Sequence, residues 1–193
     1  MTALCFATRN AHKLAEVRAA LLPYSVTGLD EIGCTEELPE DHATLEENSL
    51  QKAMHVFTHY GVACFADDSG LEVEALGGAP GAWSAMYAGP MRDHAANNAL
   101  LLKNLEGVAN RRARFRTVIT LAEAGGAAQF EGVVNGVITN APEGEGGFGY
   151  DPIFRPDGYS CTMAMLTMDE KNAISHRGEA VRRLAEYLRH RKG

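Results

Sequence analysis

Cysteine is sparse and unpatterned in this chain. Cys5, Cys34, Cys64 and Cys161 are the four among 193 residues, and no two stand in CxxC spacing. That excludes a cysteine-based zinc ribbon and a thioredoxin-type motif. A surplus of positive charge is also missing, with 18 Lys and Arg against 25 Asp and Glu for a net charge of −7. General nucleic-acid binders draw their affinity from cationic contacts to phosphates, so a nucleic-acid polymer is not an expected partner. No apolar run approaches the length of a bilayer span, so no membrane partner is expected. No basic segment followed by an apolar stretch opens the chain, so a cytoplasmic location, with reduced thiols, is expected. A G-x-x-x-x-G-K phosphate loop is absent as well.

What is present is ordinary globular material: 46% hydrophobic and 22% charged residues, enough for a real core and too apolar to stay disordered. The length suits one domain or two closely packed lobes, and the expectation is a single domain over residues 1–193. A short apolar run at 4–7 leads through a polar turn into a helix over 11–22, with Leu14, Val17 and Leu21 at helical spacing and Pro23 as a stop. A second helix is predicted over 45–60, opened by a Thr44/Glu47 capping box and closed by Gly61. A buried strand over 62–66 should break at Asp67-Asp68-Ser69-Gly70, followed by an alternating strand over 71–75. A third helix is predicted over 93–105. Long strands are predicted over 114–122 and 129–138, joined by a turn at Gly125-Gly126. A glycine-rich loop, 143–149, precedes a last strand near 150–154. An amphipathic helix runs from Ser175, with Val181, Leu184, Ala185 and Leu188 on one stripe. The order fits a mixed α/β fold rather than a repeating barrel. Thirteen of the 20 glycines fall in 70–89 and 125–149, where backbone turns sharply or approaches a ligand.

Four segments carry groups suited to chemistry. In Thr8-Arg9-Asn10-Ala11-His12-Lys13 a strand gives way to a helix N-terminus, whose N–H groups and partial positive charge attract an anion. Thr8 and Asn10 add hydrogen-bonding groups and Lys13 a full charge; the same residues also suit a plain Asn cap with a solvated lysine. Asp67 and Asp68, adjacent after an apolar strand, repel unless a cation compensates them. Mg²⁺ favours one or two carboxylates plus phosphate oxygens, and a carboxylate there can deprotonate water. An acidic turn is the alternative. Phe148, flanked by glycines and followed by Gly149-Tyr150-Asp151, suits stacking on a planar ligand, or core packing at a strand start. Lys171, His176 and Arg177 form a donor cluster at the last helix, or its solvated start. Together these parts point to a nucleoside polyphosphate and Mg²⁺.

The motifs TRNAHK (8–13), LPE…LEENSLQKA (38–53), ADDSGLEVEALGGAPG (66–81), GGFGYDPIF (146–154) and EKNAISHRG (170–178) resemble, in order and over nearly the whole chain, the HAM1/RdgB family of inosine triphosphate pyrophosphatases. The resemblance implies an α/β fold with a mixed, elongated twisted sheet, flanking helices and two lobes around a central cleft. It implies Mg²⁺-dependent hydrolysis of dITP, ITP and XTP to the monophosphate and pyrophosphate, clearing non-standard purine nucleotides, by a homodimer. It places the general base and a Mg²⁺ ligand at Asp68 and a second metal ligand at Glu40. Residues 8–13, that is Thr8, Arg9, Asn10, Ala11, His12 and Lys13, would bind triphosphate, with Lys52 beside the phosphates and Ser69 on the substrate. Phe148, Gly149, Tyr150 and Asp151 would hold base and sugar, and Lys171, His176 and Arg177 would surround the base. A Maf-like pyrophosphatase acting on modified pyrimidines or UTP is the alternative activity, and a nucleotide-binding sensor the non-enzymatic one. Two departures stand out. Arg9 replaces the glycine many members carry after the threonine, and Met86 stands where bacterial relatives often have arginine.

Overall fold

In this computed structural model residues 3–190 are described, apart from the side chain of His12. The elements run β1 (Leu4–Phe6), α1 (Ala11–Ala20), β2 (Val26–Thr27), α2 (Leu45–Tyr60), β3 (Cys64–Val73), β4 (Pro80–Gly81), α3 (His94–Asn104), β5 (Arg112–Glu123), β6 (Gly126–Ile138), β7 (Phe154–Pro156), α4 (Met168–Ala173) and α5 (His176–His190). The described strands form one sheet in the order β2-β1-β3-β5-β6-β7, with β4 on β3. The sheet is mixed: β1 pairs β2 and β3 in parallel, whereas β3–β4 and β6–β7 are antiparallel. This is the mixed α/β class expected. No helix among the described residues is long and apolar enough to cross a membrane.

The chain forms two compact units, one holding residues up to Asp68 with 117–131 and the end of the chain from Glu179, the other holding 69–116 and 132–178. In the first, strand alternation sends Leu4, Phe6 and Phe65 into one core and Cys5 and Cys64 into another. Both faces are therefore buried, as apolar parallel strands require. Phe6 stacks on Phe65 with ring centroids 4.8 Å apart. The predicted stripe of α5, Val181, Leu184, Ala185 and Leu188, lies in the Phe6/Phe65 core with Ile119 and Leu121. Helix α2 runs between the predicted bounds because both ends are written locally. The Thr44 hydroxyl accepts from Glu47 N–H at 3.2 Å, and Gly61 closes the helix at φ +68°.

The second unit packs Leu71, Val73, Leu101, Leu105, Ile138, Ile153 and Phe154 together. Arg111 threads it, donating to the carbonyls of Leu105, Ile138 and Thr139 at 2.6–2.9 Å.

Two expectations give way, and one helix is added. Asp67-Asp68-Ser69-Gly70 does not break the chain: β3 runs through it as ten continuous residues. Cys64 and Phe65 pair β1, Leu71 and Glu72 pair β4, and Gly70 admits the Gly81 carbonyl where any Cβ would collide. Residues 150–153 form turns, with Asp151 N–H donating to Phe148 O and Ile153 N–H to Tyr150 O, so the last strand starts only at Phe154. A short helix, α4, precedes α5, opened by a complete capping box between Thr167 and Glu170.

Candidate active site

The first unit carries the charged groups. The Asn10 side chain accepts from Lys13 N–H at 3.2 Å and the Thr8 hydroxyl from Asn10 N–H at 3.1 Å, so Asn10 caps α1. One turn in, the Lys13 ammonium sits on both carboxylate oxygens of Asp67, at 3.0 and 3.3 Å. Asp67 is only 5% exposed, and an unpaired carboxylate there would be costly.

Helix α2 brings Asn48 and Lys52, four residues apart and so on one face, to Asp68. Asn48 donates to Asp68 Oδ2 at 3.2 Å, and Lys52 Nζ lies 3.9 Å from Asp68 Oδ1. Lys52, 7% exposed, also donates to the Asp67 carbonyl at 2.7 Å and pairs with Glu40. Glu40 and Asp68 thus meet at one ammonium. In these contacts three carboxylates (Glu40, Asp67, Asp68) share two ammonium groups (Lys13, Lys52). Among the described residues no three His, Cys, Asp or Glu side chains form a ready metal cage. Two hard carboxylate donors, Glu40 and Asp68, still fit Mg²⁺, which takes one or two carboxylates and completes its shell with water and phosphate.

The second unit carries a pocket of about 180 Å³ lined by Ser69, Ser84, His94, Phe115, Phe148, Gly149, Tyr150, Asp151, His176 and Arg177, among others. Phe115 and His176 stack at 5.4 Å with ring planes 16° apart, giving the pocket a flat wall. Phe148 is 73% exposed. Its backbone N–H donates to Asp151 Oδ2 at 3.2 Å, the oxygen that also takes Lys171 Nζ at 3.1 Å. A side chain at Gly147, which adopts φ +80°, would fall on that ion pair. Asn98 on α3 holds the Gly149 carbonyl at 3.1 Å, and Tyr150 Oη donates to the Ser84 carbonyl at 2.8 Å. Burial pushes the Tyr150 phenol up from its ordinary value, so it stays a neutral donor.

A model of the Ham1 family matches residues 4–187. The chain belongs to the Ham1 family. A Porphyromonas gingivalis relative, named dITP/XTP pyrophosphatase, is 49% identical over 97% of this chain and 98% of its own. One of the same name from Geobacter sulfurreducens is 46% identical, covering 97% of both. The solved Staphylococcus aureus Ham1 protein superposes with a TM-score of 0.94 at 36% identity, over 98% of this chain and all of its own. A HAM1 protein from Coxiella burnetii gives 0.93 at 37%, with the same coverage.

Within this family member, the candidate residues fall into two groups. Glu40, Lys52 and Asp68 come together, as do Thr8, Asn10, Ala11 and Lys13 at the start of α1, while the His12 side chain lies outside the described residues. Ser69, Phe148, Gly149, Tyr150, Asp151, His176 and Arg177 line the pocket; Lys171 braces Asp151. Arg9 turns to the carbonyls of Cys34 and Glu36. Asn98, Phe115 and His94 join these groups without a sequence signal that singles them out, and Asn48 joins them with only its spacing from Lys52, which puts both on one helical face. Phe115 lies in the strand predicted over 114–122 with nothing local to mark it as a pocket wall, and nothing local marks Asn98 as the tether of a loop 51 residues away.

Proposed function

We propose that this chain hydrolyses non-standard purine nucleoside triphosphates, dITP, ITP and XTP, to the monophosphate and pyrophosphate. The observation that carries this is the match, over nearly the full length of both chains, to relatives named dITP/XTP pyrophosphatase. The site chemistry supports it. Asp68 takes a proton from a water that attacks the α-phosphorus; the new P–O bond forms as the bond to the β-phosphate bridging oxygen breaks. Lys13 and Lys52 offset charge on the departing pyrophosphate. Glu40 and Asp68 would hold Mg²⁺, which when bound neutralises charge on the phosphate oxygens. Thr8, Asn10 and the N–H groups at Ala11 and His12 receive phosphate at the helix N-terminus.

The pocket holds the base, with Phe148 stacking and Ser69, Gly149, Tyr150 and Asp151 around base and sugar. Arg177 and His176 donate to the 6-keto oxygen of hypoxanthine and xanthine. Adenine presents a donor there instead, and a buried mispaired group costs about 1–3 kcal/mol, roughly 5- to 150-fold in kcat/KM. The working form is a homodimer in the cytoplasm. Trp83 and Met91 leave apolar surface for an interface, and all four cysteines are free thiols, suited to a reducing compartment.

Pyrophosphate release from dITP, XTP, dATP and UTP, with Mg²⁺ and with EDTA, tests the reading. Turnover of dITP and XTP far above dATP and UTP, lost in EDTA, is the expected result. Preference for UTP, or tight dITP binding without turnover, overturns it.

A further inference from the structure

Arg9 stands in the turn expected to bind triphosphate, yet its side chain is directed elsewhere. One guanidinium nitrogen donates to two carbonyls at once, Cys34 O at 3.0 Å and Glu36 O at 2.7 Å. The Nε lies 3.6 Å from Asp30 Oδ1. The segment it grips is stitched along α2. The Glu36 carboxylate accepts from Tyr60 Oη at 2.7 and 2.9 Å and meets His55 Nε2 at 3.1 Å. Glu40 pairs with Lys52, Asp41 exchanges two hydrogen bonds with Gln51, and His42 exchanges two with Asn48. Residues 36–42 thus form a strap on α2 that carries Glu40. Arg9 ties that strap to the turn that carries Thr8, Asn10 and Lys13.

We infer that Arg9 is a positioning residue. It braces the Glu40 strap against the start of α1 and so sets Glu40 relative to the phosphate-binding turn. The inference rests on the reaction proposed above, because it concerns the same groups. The chemistry distinguishes a brace from a phosphate contact. Holding two carbonyls with one guanidinium nitrogen while Nε faces Asp30 uses two nitrogens of one plane, a reach that the single ammonium of lysine lacks. A phosphate contact needs only a positive charge, which lysine also supplies.

The test compares Arg9→Lys and Arg9→Ala with the wild type, after thermal unfolding has shown all three folded. Amide exchange is followed across residues 34–41 in the nucleotide-free protein, and Mg²⁺ half-saturation is measured separately from KM for dITP. In both variants, exchange in that segment speeds up about tenfold, the scale of one hydrogen bond to a charged group. Mg²⁺ half-saturation rises, while KM for dITP at saturating Mg²⁺ stays within about twofold. Unchanged exchange in both variants overturns the inference. So does an Arg9→Lys protein that behaves as wild type while Arg9→Ala raises KM for dITP and flattens its salt dependence, the signature of a phosphate contact. If the wild type turns over no nucleotide, the proposed reaction fails and the exchange measurement still decides the brace.

Discussion

Replacing Lys52 with methionine isolates the electrostatics of the charged cluster. Methionine keeps much of the stem and removes the ammonium. The Asp67 carbonyl then loses a donor at 2.7 Å, and Glu40 and Asp68 lose their shared cation. At an effective dielectric near 20, the 3.9 Å separation from Asp68 corresponds to about 4 kcal/mol of gross attraction. The net cost is smaller, because the Glu40 side chain is 45% exposed and solvent screens that pair. Deleting one partner of a buried pair costs about 3–5 kcal/mol, and the half-exposed partner places this case at about 3. For a chain of this size that lowers Tm by about 6–12 °C. Thermal unfolding in EDTA gives the value. Repeating it with Mg²⁺ adds a second reading, since the variant has one ammonium against three carboxylates where the wild type has two. Mg²⁺ should therefore raise the Tm of the variant more than that of the wild type. A Tm within about 2 °C of wild type in EDTA, or an equal response to Mg²⁺, would show that the Lys52 ammonium does not hold the cluster together.

Two further predictions address the core and the pH response. Leu184→Ala, at a fully buried position of α5, should cost about 2–5 kcal/mol in denaturant unfolding, whereas Leu22→Ala, 76% exposed, should stay within about 0.5; equal effects would contradict the core assignment. Hydrogen bonds, that from Tyr60 foremost, hold the Glu36 carboxyl at about 2 against a usual 4.5. The stability this contributes is present above pH 4.5 and is lost as pH falls through 2. The Tm gap between wild type and Tyr60→Phe should therefore narrow on acidification through that window, and a constant gap would rule the linkage out.

The parts of the fold that sequence made legible are those written locally. Helix α2 is bounded by Thr44 and Gly61, the apolar stripe of α5 has helical period, and the β5–β6 hairpin turns at glycine, although its turn sits at Ala124-Gly125 rather than Gly125-Gly126. The Thr167-x-x-Glu170 box that opens α4 is equally local. What was hidden depends on distant partners. Asp67-Asp68-Ser69-Gly70 has turn chemistry in isolation, and it runs as a strand because Lys13 and Lys52, 54 and 15 residues away, meet Asp67, and β4 covers Gly70. Arg9 likewise reads as a phosphate ligand beside Thr8 and Asn10, while its partners lie 25 and 27 residues on. Residue types mark the candidate groups; which carboxylate or carbonyl each cation meets follows from the fold.

The proposed reaction requires Asp68 to activate the water that releases pyrophosphate. Asp68→Asn keeps the size of the side chain, removes its charge and its capacity as a base, and retains a carbonyl oxygen for Asn48. Pyrophosphate release from dITP, measured beside binding of the same nucleotide, is the direct test. The kcat should fall by about 10²–10⁴ while dITP still binds. Turnover close to wild type in that variant would contradict that role for Asp68.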